Sequence, residues 1–243
     1  MRKFAATLLV SAVMLGAAPA TAGKVLFDNG GSNYQNSKNF TDGTVHVTAT
    51  GFSINNSNKV ESAWVGSWAG NGMGVLNKSS DGSHTIDNQG FTDFVVLVFD
   101  QAVTLGDAYL KTGYYGSSNE LYNDTDATIG YLNNSSFSVA SLLGDSKSTL
   151  SSLFSIYGSN SSGNGSQWHD VNSAGKTANV WLIGAAFANP DSKRDGFKLK
   201  ALTYSIPETA VPEPAAWALM ILGFGMVGAT LRRKRVTTAL TYA

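Results

Sequence analysis

The feature that most limits how this chain can fold lies near its C-terminus, where Ala215 to Leu231 make seventeen uncharged, mostly apolar residues closed by Arg232-Arg233-Lys234-Arg235. A run with no polar face cannot be an ordinary surface helix of a globular domain. As a helix it would be about 25 Å long, near the lower limit for crossing a bilayer. The basic cluster obeys the positive-inside rule, which would leave residues 232–243 as a cytoplasmic tail and the body outside. Trp217 lies near the other end, where an indole favours the membrane interface. Residues 207–214 precede the run as a linker ending in Pro212-Glu213-Pro214. Its prolines fix φ and lack N–H donors, so this stretch stays extended, outside any sheet, and open to an enzyme.

The opposite end carries a second address. Residues 1–22 read as a secretory signal peptide: Arg2 and Lys3, an apolar run from Phe4 to Ala18, then Ala20-Thr21-Ala22 as an A-x-A-like cleavage site. An uncleaved anchor is the alternative, but the run is short for a span and small residues follow it where a stop-transfer cluster would stand. Export across the inner membrane follows on either reading, and the mature chain is expected to begin near Gly23.

Between these ends, residues 23–206 read as an all-β, antiparallel body. Thr44 to Thr50 alternates with period two, placing Val45, Val47 and Ala49 on one buried face. Asp93 to Asp100 encloses six apolar residues, Phe94 to Phe99, and reads as a central strand covered on both faces. Further strands are expected at Lys24–Phe27, Ala108–Thr112, Thr128–Leu132, Thr177–Phe187 and Phe197–Ile206, the last alternating Phe197, Leu199 and Ala201 with Lys198 and Lys200. Short strands set apart by Gly, Ser, Asn and Asp clusters predict a β-sandwich, jelly-roll-like in type. Ser138–Tyr157 carries apolar residues near helical spacing, with Ser141 or Ser148 as N-cap, and predicts one or two short helices. Gly158–Gly165, made only of Gly, Ser and Asn, predicts a mobile loop.

Composition narrows the function classes. Seventeen basic and seventeen acidic residues cancel, so no whole-molecule field draws in nucleic acid. The absence of cysteine excludes disulfides, thiolate metal sites and a cysteine nucleophile.

The C-terminal residues, from Val211-Pro212-Glu213-Pro214-Ala215-Ala216-Trp217-Ala218 through the glycine-bearing apolar run to Arg235, resemble the PEP-CTERM sorting domain in its PEPxxWA variety. The closing Tyr242-Ala243 resembles that family's usual ending. The resemblance implies a Gram-negative bacterium that makes extracellular polysaccharide, and processing near Pro212-Glu213-Pro214 by an exosortase-type membrane enzyme. The sorting residues would be Pro212, Glu213, Pro214, Trp217, Arg232, Arg233, Lys234 and Arg235. Gly72-Met73-Gly74-Val75, Ser83 to Asn88 and Phe94 to Phe99 are similar to a G-L-G-V-like turn, an H-T-I-D-N-like stretch and an apolar strand of the extracellular domains found ahead of such tails. That likeness covers roughly residues 60–130 and implies a β body without an assigned biochemical activity.

Three candidate sites remain in the residues themselves. Gly223 to Gly228 spells G-x-G-x-x-G, but no strand precedes it and the chain ends too soon for the second-strand acid of a dinucleotide site. Asp87 and Asn88, with Asp124 and Asp126, offer hard oxygen ligands that would suit calcium. The simpler alternative is that Asp87 and Asn88 shape a turn, with His84 packing nearby. Trp64, Trp68 and Trp168, like Tyr114, Tyr115 and His169, stand beside Gly, Ser and Asn, as sugar-stacking rings do, although aromatic residues in β domains are more often core. No Gly-x-Ser-x-Gly elbow accompanies the three histidines, and no pair of carboxylates stands out for glycoside hydrolysis. The expectation is a non-enzymatic envelope or matrix protein tied to exopolysaccharide, with a carbohydrate-binding module and then a hydrolase as alternatives.

Overall fold

A computed structural model of the chain describes residues 21–29, 33–79, 82–112, 114–115, 120–121, 124–159, 165–189, 192–207 and 214–235. Two units separate, Met1–Pro207 and Glu208–Ala243. Residues 1–20 of the expected signal peptide lie outside the described residues.

In the first unit, β1 (Thr21–Leu26), β2 (Ser37–Thr41), β3 (His46–Ile54), β4 (Val60–Ser62), β5 (Trp64–Trp68), β6 (Gly72–Leu76) and β7 (Ile86–Asp87) lead into the long β8 (Thr92–Thr112). A small hairpin follows, β9 (Tyr114–Tyr115) with β10 (Glu120–Leu121), then β11 (Ala127–Leu132). A 3-10 turn at Val139–Leu142 and helix α1 (Lys147–Leu153) precede β12 (Ser155–Ser159), β13 (Gln167–Asp170), β14 (Thr177–Ala185) and β15 (Gly196–Ile206).

The all-β, antiparallel reading holds, but thirteen of the described strands form one sheet, with β9 and β10 apart from it, where two separate sheets were expected. The reason is β8. Its 21 residues would reach about 70 Å if straight, far beyond the width of a domain this size, so it must turn. Val98 pairs with Val180 but Val103 with Ala178, so residues 99–102 bulge away from β14. The half before the bulge is hydrogen-bonded between β3 and β14, and the half after it between β15 and β13. Ala108–Thr112 is thus the far end of the central strand and not a strand of its own.

The first half of β8 is buried on both faces, as its sequence predicts. Val95, Leu97 and Phe99 enter the main core with Val45, Val47 and Ala49 from the β3 region. Phe94 and Val96 enter a second core, capped by Leu142, Leu150 and Phe154 from the helical connection. That connection is less helical than its spacing suggests. It holds a 3-10 turn and seven residues of α1, with Ser146 as N-cap in place of Ser141 or Ser148; its hydroxyl accepts from the Thr149 N–H at 3.1 Å. Gly158 and Ser159 belong to β12, paired with Thr128 and Ala127, and so are strand where a mobile loop was expected; residues 160–164 lie outside the described residues. The Gly72–Val75 stretch expected as a turn is strand β6.

Strand β15 alternates as expected only to Leu199. Leu199 faces Leu110 and Ala201 faces Tyr109, leaving Lys200 as a bulge that reverses the phase. Leu202 and Tyr204 then continue the core face begun by Phe197 and Leu199.

In the second unit, α2 (Pro214–Arg235) opens on a proline, which suits the first helical position. It is longer than the 215–231 run and takes in the basic cluster. Every side chain described from 217 to 232 is exposed except the half-buried Gly223 position, with Ile221 at 72 % and Phe224 at 76 %. The G-x-G-x-x-G lies wholly within this helix, which excludes a strand-to-helix phosphate turn. No helix among the described residues is long and apolar enough to cross a membrane. Seventeen uncharged residues give about 25 Å of helix against about 30 Å of hydrocarbon.

Candidate functional site

The oxygen ligands expected for calcium divide into two groups. Asp87, fully buried, has its carboxylate held inside its own turn: it accepts from the Ser83 hydroxyl, from Thr85 Oγ1 at 2.6 Å and from the Gln89 N–H at 2.9 Å. This is the turn-shaping role of an Asx residue. Asn88 turns instead to Asp195, 107 residues away: its Nδ2 donates to Asp195 Oδ2 at 2.6 Å, and its Oδ1 accepts from the Asp195 N–H at 3.1 Å.

Asp124 and Asp126 do come together, and Asp195 joins them. One carboxylate oxygen from each lies within 4.8 Å of the others, and all three residues are buried. A parallel bridge between Asp124 and Asp195 brings the strand edges together, and the Gly196 N–H donates to the Asp124 carbonyl at 3.1 Å. Lys193 Nζ stands 3.7 Å from Asp124 Oδ2. Three carboxylates converging in this way are the donor type of a hard cation. Sequence reasoning missed Asp195 because nothing in the spacing of residues so far apart in the chain announces the bridge.

The tryptophans expected to touch sugar fall on one face. In the part of the sheet ordered β5, β6, β15, β8 with β13 beyond, Val65, Met73, Val75, Leu199, Ala108 and Leu110 enter the core. Strand alternation sends Trp64, Trp68, Lys198, Tyr109, Lys111 and Trp168 to the other face. Trp168 is 46 % exposed and meets Tyr109 edge to face at 5.3 Å. Trp64 is 41 % exposed. Trp68 is half-buried and already engaged: it stacks on His84 at 5.8 Å, meets Tyr34 edge-on at 5.9 Å, and lies under Lys198 Nζ, 3.5 Å from the ring centre. Its ring also covers Gly66, where a Cβ would come within 2.4 Å. Lys200 Nζ stands 5.8 Å from the Tyr109 ring. Sequence reasoning found the tryptophans but not Tyr34, Tyr109 or the lysines that complete the face. His169 points inward, 3.5 Å from Thr125 Oγ1, and burial lowers its pKa. The side chains of Tyr114 and Tyr115 lie outside the described residues.

The sorting residues divide in the same way. Pro212 and Glu213 lie outside the described residues, Pro214 begins α2, and Trp217 and Arg232 are exposed upon it. Arg233, Lys234 and Arg235 form its last turn.

No curated protein and no solved structure matches the chain. Residues 210–235 match the family model of the PEP-CTERM protein-sorting motif, and the chain therefore carries this sorting signal at its C-terminus.

Proposed function

We propose that this is an exported cell-envelope or extracellular-matrix protein, held at the inner membrane by α2 until an exosortase-type enzyme processes it near Pro212-Glu213-Pro214. The β body then has a binding or structural role at the cell surface, linked to exopolysaccharide, and not a catalytic one. The single observation carrying this reading is the match of the sorting motif to residues 210–235. A helix apolar on every described face and ending in Arg232 to Arg235 supports it, since only lipid or a partner can cover such a surface. An apolar stretch shorter than the hydrocarbon layer is accommodated by local thinning and by snorkelling of the basic end, each at modest cost.

The signal-peptide reading meets the fold at β1. Thr21 and Ala22 pair with Ile206 and Ser205, so cleavage after Ala22 removes two pairs and leaves Gly23 to Leu26 on β15.

Alanine replacement of Pro212, Glu213 and Pro214 together tests the processing claim in a cell competent for it. The native chain should lose its tail, while the variant should stay full length in the membrane fraction. Identical processing of both would contradict the assignment.

A further inference from the structure

Two rows of side chains cross the outward face of the β5, β6, β15, β8 and β13 region in register. Trp68 pairs with Gly72, and a Cβ on Gly72 would come 2.7 Å from the Lys200 Cα, so Lys200 is next in line. Ala201, just beyond the bulge, pairs with Tyr109, and Tyr109 pairs with Trp168. The first row therefore reads Trp68, Gly72, Lys200, Tyr109, Trp168. Beside it runs a second: Gly66 pairs with Gly74, a Cβ on Gly74 would lie 3.1 Å from Lys198 Nζ, and Lys198 pairs with Lys111. Four strand-to-strand steps make the first row about 19 Å long, a length suited to several linked sugar rings, and three make the second about 14 Å.

Three lysines share this face with the pair Asp107 and Asp170. Lys111 and Lys198 oppose each other directly across the ladder, a placement that destabilises a sheet pair. Lys111 Nζ donates to Asn71 Oδ1 at 2.5 Å and to the Gly70 carbonyl at 3.1 Å, and Lys198 donates to the His84 carbonyl. Among the described residues, Lys111, Lys198 and Lys200 make no ion pair. Asp87 attracts Lys198, and the exposed pair Asp107 and Asp170 stands beside Tyr109 and Trp168 along β8 and β13, on the side away from Lys111. Trp68, resting on Gly66, holds the Lys198 ammonium in place. Lys200 and Lys111 beside exposed rings match an anionic ligand with flat apolar faces.

We propose that this face binds an acidic polysaccharide, with a pyranose ring against Trp168 and Tyr109 and sugar carboxylates on Lys200 and Lys111. The proposal deepens the surface-binding role given above by naming its ligand class, and it does not depend on how the C-terminus is processed.

The test is electrophoresis of the full-length protein, in a mild detergent, through gels containing polygalacturonate, its fully methyl-esterified form, or single-stranded DNA. Polygalacturonate should retard the protein; the neutral ester and the DNA should retard it at least about tenfold less at equal concentration. Trp168→Ala and Lys200→Gln should each weaken retardation about tenfold, and Lys176→Gln should leave it unchanged. Melting curves establish that each variant folds, and if Trp168→Ala does not, Lys200→Gln carries the comparison. Equal retardation by the ester, equal retardation by DNA, no retardation by polygalacturonate, or native behaviour in both site variants would each overturn the proposal. Because binding and the mass of the C-terminus are read separately, failure here leaves the sorting assignment standing, and the reverse also holds.

Discussion

The ammonium of Lys198 stands 3.5 Å from the centre of the Trp68 ring, and His84 stacks on the same indole at 5.8 Å. Burial against this cluster lowers the Lys198 pKa from 10.5 to about 7, with Asp87 opposing the shift and Lys111 adding to it.

A lysine whose folded pKa lies below its unfolded value leaves the unfolded chain holding an extra proton between the two, so stability rises with pH across that window, from about 7 to 10.5. The protein's melting temperature should therefore rise relative to that of Lys198→Met between about pH 6 and about pH 9, because the variant lacks this titration. A difference between the two proteins that is the same at both pH values would contradict the account.

Tyr204 donates to Asp42 Oδ2 at 2.6 Å across 162 residues of chain, tying the turn before β3 to β15. Burial works to raise the Asp42 pKa, but Tyr204 and the N–H groups of Thr44 and Val45 outweigh it and hold the carboxyl below its usual range. Burial and Asp42 together push Tyr204 up to about 12. A carboxylate with a depressed folded pKa contributes stability above its unfolded pKa and loses it as pH falls through the folded one. Tyr204→Phe should cost about 1 kcal/mol in urea unfolding at neutral pH, and less in acid. An equal cost at both pH values would remove the ionised Asp42 from the explanation.

Gly74 lies under a crossing chain, where a Cβ would come 1.9 Å from the His84 carbonyl oxygen. Backbone cannot yield as a flexible side chain can, so Gly74→Ala should destabilise by about 1–3 kcal/mol, whereas Gly223→Ala, with open space around it, should leave the melting temperature unchanged. Equal melting temperatures for the two variants would show that the 83–88 segment is placed differently.

Phe154 is 1 % exposed in the second core, and Leu143 of the same connection is 51 % exposed. Phe154→Ala should cost roughly 3–5 kcal/mol and Leu143→Ala under about 0.5 kcal/mol. Similar costs, measured by denaturant unfolding, would mean that the helical connection does not seal this core.

What could be foreseen follows from how local each cause is. The alternation around Val47 and the two-faced burial of Phe94 to Phe99 depend on neighbouring residues, and both were legible. The bulges at residues 99–102 and at Lys200 depend on partner strands, which is why β8 read as two strands and the phase of β15 read as constant. Strands β5 and β6 escaped because their outward positions hold Gly66, Gly72 and Gly74, glycines that signal turns in a sequence but here make room for Trp68, Lys200 and His84. Of the site residues, Trp168 and Trp68 could be named by type alone. Their grouping with Lys198 and Tyr109, like the approach of Asp195 to Asp124 and Asp126, is a product of pairing between segments far apart in the sequence. The sorting segment was the most legible part, because its proline pair, apolar run and basic end are contiguous.

The most direct test is the intact mass of the protein recovered from the envelope and medium of a cell that processes such signals. The account predicts a chain that starts at Gly23 and ends close to Pro212-Glu213-Pro214, allowing for whatever group the processing enzyme leaves there. A mass that still includes residues 215–243 in every fraction would contradict it.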